Sequence, residues 1–137
     1  MTNAQKLRDL QRRSVLIQKV LGLDEWYITI KLVAPKELDI SSDAAETWCN
    51  AKYLRAEIVL NSEQLALHPK DFWYETLWHE HLHVFNSTID ELLSRWAGGV
   101  HISTAEEAER RAVISNTIEP VVERLGRVMH KYIKIKE

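Results

Sequence analysis

The chain has one cysteine, four glycines and three prolines in 137 residues, and its formal net charge is only −2. Each scarcity excludes something. A lone Cys49 rules out an intrachain disulfide framework and fits a reducing, cytoplasmic compartment, with the thiol expected in the core. No linker, low-complexity segment or internal repeat is visible, so residues 1–137 read as a single domain. Near-neutral charge gives no general pull towards nucleic acid or anionic membrane, and the small basic tail of Lys131, Lys134 and Lys136 reads as solvated. No apolar run approaches the roughly 18 residues that would span a bilayer, and the opening MTNAQKLRDLQRR lacks the apolar stretch of an export signal. In that context the Asn86-Ser87-Thr88 glycosylation sequon means little.

What is present is enough apolar material for a core: 45% of residues are hydrophobic and 28% charged. Residues 3–21 place Leu7, Leu10, Ile17 and Leu21 at helical spacing, with Gly22 where a terminator is expected. Trp26–Val33 alternates apolar and polar positions and predicts a half-buried strand that ends before Pro35. Residues 46–53 are a weaker strand candidate. In residues 54–60, Leu54, Ala56, Ile58 and Leu60 face one way and Arg55, Glu57 and Val59 the other. A histidine-rich helix over Asp71–Phe85 follows, then a short helical segment over Ile89–Trp96 and a Gly98-Gly99 break. Ser103 and Thr104, with Glu106 and Glu107 three residues on, carry a capping signature for a last helix to about Tyr132. Pro120 is expected to kink or restart it.

The organising stretch is Asp71–Phe85, DFWYETLWHEHLHVF, which contains His79-Glu80-His81-Leu82-His83. Residues four apart on an α-helix project about 40° apart and roughly 6 Å along the axis, so His79 and His83 share a face. Two imidazoles so placed suit one Zn²⁺. Glu80, about 100° from His79, is awkward as a co-ligand but well placed as a general base towards a zinc-activated water. His81, about 200° round, is expected to be packed or on the surface.

A catalytic zinc site needs a third protein ligand. Glu106, Glu107 and Glu123 each have an arginine four residues on and read as surface ion pairs. Glu119 has none; its helical neighbours are Ala112, Ser115, Val122 and Gly126, a stripe small enough to let this helix approach another closely. Glu119 is therefore the expected third ligand, with Glu107, Glu109 and His101 as alternatives.

Residues 76–84, TLWHEHLHV, and 118–125, IEPVVERL, resemble the zincin metallopeptidases, specifically the gluzincin-like minimal forms encoded by phages and prophages. The resemblance runs loosely from Trp26 to the C-terminus, and only the first motif is specific. A proline after Glu119 and a histidine inside the motif depart from the family pattern. The resemblance implies an α+β domain: an N-terminal helix, a small, mostly antiparallel sheet, the motif helix and a C-terminal helix. It implies zinc held by His79, His83 and Glu119, Glu80 as base, and peptide-bond hydrolysis of a peptide or protein substrate that joins the strand at 54–60. His101 or Tyr53 are candidates to assist the oxyanion, and the first helix or the IKIKE tail to restrain activity. The competing expectation is a zincin-like protein-binding module that has lost catalysis; a nucleic-acid-associated role is disfavoured by the charge.

Overall fold

A computed structural model describes residues 1–99 and 101–135. Thr2 opens helix α1 (Asn3–Val20) with a capping box: its hydroxyl accepts from the Gln5 amide, and the Gln5 side chain accepts from Thr2. Gly22, at φ 67°, lets the chain turn out of the helix through a left-handed conformation. The chain continues through β1 (Tyr27–Val33), β2 (Ala45–Asn50), β3 (Arg55–Asn61), a short α2 (Ser62–Leu67), α3 (Lys70–Ala97) and α4 (Thr104–Tyr132). Among the described residues this is an α+β fold with four helices and a three-stranded sheet.

The strand order is β1-β3-β2. The expected antiparallel pairing holds between β2 and β3, whereas β1 joins β3 in parallel, making the sheet mixed. The strand at the centre is β3, hydrogen-bonded along both edges, so the expectation that 54–60 receives a peptide by strand addition is overturned. An edge already paired has no free backbone groups to offer. The outer edges belong to β1 and β2, and of the two it is β2, the weaker of the strand candidates, that lies beside α3 along the cleft.

The core lies between the sheet and the helices α1 and α3. Leu10 and Ile17 from α1, Ile30 from β1, Ile58 and Leu60 from β3, and Trp73, Leu77 and Trp78 from α3 form one buried cluster. Ile133 and Ile135 pack against it, so the part of the IKIKE segment that is described lies on the core; Lys136 lies outside the described residues. On the other face of β3, Val59 is also fully buried, against Val33 and Leu38, which is why the two-sided alternation read from the sequence understated this strand. Cys49 is exposed near the end of β2 rather than in the core.

Two expected breaks are absent. The segments 71–85 and 89–96 are one continuous 28-residue helix, α3, which puts the Asn86 sequon in mid-helix with Ser87 buried. Helix α4 runs unbroken through Pro120, whose ring is exposed, so the carbonyl it leaves unbonded sits on the solvent side. The expected ion pairs along α4 are present: Glu106 with Arg110, Glu107 with Arg111 and Glu123 with Arg127.

His81 explains how α3 is set against α1. Fully buried, its Nδ1–H donates to the Leu77 carbonyl at 2.7 Å, and the buried Ser14 hydroxyl of α1 donates to its Nε2 at 2.8 Å. Both ring nitrogens are used and the ring is neutral; burial lowers its pKa from 6.5 to about 4. The unfolded chain therefore takes up this proton first. His81's contribution to stability is complete above pH 6.5 and is lost as pH falls towards 4. Between pH 7 and pH 5 the wild type is expected to lose about 2 kcal/mol more than His81→Leu, from roughly 1.36 kcal/mol per pKa unit, as read by urea denaturation of the metal-free proteins.

Candidate metal centre

Helix α3 packs Trp73, Leu77 and Trp78 into the core and turns His79, His83 and Ser87 towards a cleft bounded by β2 on one side and α4 on the other. The two imidazoles stand at the four-residue spacing of one helical face, with their Nε2 atoms 3.0 Å apart. From α4, Glu119 reaches across, its Oε1 at 3.2 Å from His83 Nε2 and its Oε2 at 3.6 Å from His79 Nε2. One atom from each of the three side chains lies within 4.8 Å of the others.

Gly126 permits this reach. A Cβ on that residue would stand 3.3 Å from the His79 amide nitrogen and 3.4 Å from its Cα, so α4 rests directly on the α3 backbone at the first ligand. Val122 and Gly126 are the buried residues of α4, two members of the small-residue stripe that singled out Glu119 in the sequence.

The donor set fits a divalent ion. Around a tetrahedral zinc with bonds of 2.0–2.1 Å, neighbouring ligand atoms stand roughly 3.3 Å apart, and the separations here bracket that value. Burial lowers the pKa of both His79 and His83, while Glu119 pulls it up, so the rings are biased to the neutral form that ligates metal. The same set of two imidazoles and a carboxylate also suits other divalent transition metals. Of the alternative third ligands, Glu107 bonds Arg111, and Glu109 and His101 are exposed and away from the cleft.

Glu80 lies beside the cluster rather than in it. It is 6% exposed, and its Oε2 accepts a short hydrogen bond from the Thr47 hydroxyl of β2. Burial raises its pKa to about 7, an effect that Thr47 opposes and that Glu119, Asp43 and Glu46 reinforce. A carboxyl poised near neutrality is suited to taking and returning a proton. Thr47 was not legible as a site residue; only its place on the β2 edge beside α3 brings it to Glu80. Tyr53 is exposed, and neither it nor His101 lines the cleft, so neither is placed to assist an oxyanion.

Because the folded pKa of Glu80 is raised, the folded metal-free protein pays an increasing cost as pH rises from 4.5 to 7. The isosteric Glu80→Gln is expected to gain about 2–3 kcal/mol of stability over the wild type between pH 5 and pH 8, from the same 1.36 kcal/mol per unit, measured by urea denaturation. Gly126→Val is expected to push α4 from α3 and weaken metal binding by about tenfold or more in a competition titration, with Gly126→Ala intermediate. No protein family, curated protein or solved structure matches this chain.

Proposed function

We propose that the protein is a zinc-dependent peptide hydrolase of the gluzincin-like type, acting in the cytoplasm, with His79, His83 and Glu119 as ligands and Glu80 as general base. The observation that carries this reading is the convergence of two imidazoles and a carboxylate from a second helix, with a buried carboxyl of near-neutral pKa alongside. Zinc bound there supplies Lewis acidity towards a carbonyl and acidifies a water to a pKa near 7.

The chain's own residues supply the remainder. Glu80 takes the proton from the attacking water at a carboxylate oxygen and then delivers it to the departing amine, so one residue serves as base and acid. The Thr47 hydroxyl holds that carboxylate at the β2 edge. Burial keeps bulk water from competing for the proton. The unpaired edge of β2 runs beside α3 along the cleft, where an extended peptide could add as a further strand and present its carbonyl to the ligand cluster.

Metal content and turnover test this together. Wild-type protein supplied with zinc at neutral pH is expected to retain it stoichiometrically after dialysis, with His79→Ala and Glu119→Ala losing most of it. Glu80→Gln is expected to keep the metal and lose about 10²–10⁴-fold in peptide hydrolysis. Zinc retained by Glu119→Ala would remove Glu119 from the ligand set. A wild type that binds zinc yet cleaves no peptide would leave a binding module in place of the enzyme.

A further inference from the structure

The cleft around the ligand cluster carries more negative charge than the proposed chemistry uses. It has a volume of about 970 Å³, and among the described residues nine carboxylate residues line it against a single lysine or arginine, Arg127. Several are already engaged: Glu75 and Glu123 share Arg127, Glu91 pairs with Arg95, and Glu119 and Glu80 belong to the site. Asp43, Glu46 and Asp90 are different. Among the described residues none of the three has a cation within salt-bridge distance, and one carboxylate oxygen each of Glu46 and Asp90 is shielded from water with no hydrogen-bond partner. Burial raises the pKa of Asp43 and of Asp90, and the neighbouring Glu119 adds to the rise in both.

A second observation points the same way. Ser87 lines the cleft, is 7% exposed, and its hydroxyl has no hydrogen-bond partner among the described residues. A buried polar group is ordinarily satisfied. Ser87 and Asp90 follow His83 by four and seven residues, so they continue the same stripe of α3 past the ligand cluster. A hydroxyl and a carboxylate, both short of partners and side by side in this way, match the several donors of an ammonium or guanidinium group. A divalent ion held by His79, His83 and Glu119 would not supply those donors.

We infer that the substrate is a lysine- or arginine-bearing peptide whose cationic side chain, close to the reacting bond, is received by Asp90 and Ser87. This deepens the peptide-hydrolase reading and rests on it. Asp43 and Glu46, near the start of β2, extend the attraction to further basic residues along the same peptide.

The test uses the full chain loaded with zinc and fluorescein-labelled twelve-residue peptides of neutral background, made as twins with lysine or glutamine at one scanned position. Binding is read by anisotropy on Glu80→Gln, so that the peptide survives, and cleavage is read separately on the wild type. The lysine peptide is expected to bind about tenfold more tightly than its glutamine twin in low salt, with the gap shrinking as salt rises. Asp90→Asn and Ser87→Ala are each expected to remove most of that gap. Glu106→Gln, the same charge change as Asp90→Asn on an exposed turn of α4, is expected to retain it. Equal binding of the twins, or binding of neither, overturns the inference, and the hydrolase reading is then judged by cleavage alone. Lysine-selective binding without cleavage by the wild type keeps the ligand class and removes the hydrolase reading.

Discussion

A glutamate on one helix meets two histidines on another only if the helices pack closely enough for its short side chain to span the gap. Here that depends on Gly126, where the backbone of α4 rests against the backbone of α3 at His79 itself. A methyl there would already stand tightly, 3.3 Å from the His79 amide nitrogen, and a larger side chain would wedge the helices apart close to Glu119, about two turns away on the same helix. The two ligand contacts, the alignment of the cleft and the distance from Glu119 to Glu80 all follow from this one approach.

The opposite side of α3 is fixed by different means. His81 alternates with the two ligand histidines along the sequence but points into the core, where Leu77 and Ser14 use both of its nitrogens. Tyr74 adds a second tie to α1 by donating to Asp9 at 2.7 Å beneath the Arg13 guanidinium. The rotation of α3 about its own axis is thus set from the buried side, and the metal-facing stripe inherits that rotation. On the far side of the cleft, the fully buried Asn61 donates to the carbonyls of Ser41 and Asp43 while accepting from two amides of α2. It thereby ties down the loop from which β2 departs.

Local rules made part of this legible in the sequence. The four-residue histidine spacing is a property of a single helix, and so are the ion pairs that set Glu106, Glu107 and Glu123 aside and left Glu119. Helices α1 and α4, most of α3 and the strands β1 and β3 followed from periodicity for the same reason, whereas the short α2 was not expected. Strand order did not, because alternation reports which faces are buried and says nothing of which neighbour pairs along each edge; β3 therefore looked free when it is central. The polar, partly exposed β2 gave a weak pattern because its surroundings are a cleft rather than a core. Thr47 owes its setting to α3, distant in sequence, while Ser87 and Asp90 lie on the ligand stripe of α3 but are marked out only by the cleft that β2 and α4 complete around them.

Helix α4 spans 29 residues, of which only Val122 and Gly126 are buried, and the rest of its contact with the body of the fold is made by half-buried residues such as Ile114, Ile118 and Met129. An ion shared between the helices would make the docking of α4 and the filling of the site a single thermodynamic event. The affinity measured for the metal would then be an intrinsic affinity reduced by the fraction of time α4 spends undocked. Anything that covers the exposed side of α4, at any distance from the ligands, would raise the apparent affinity of the site without touching it.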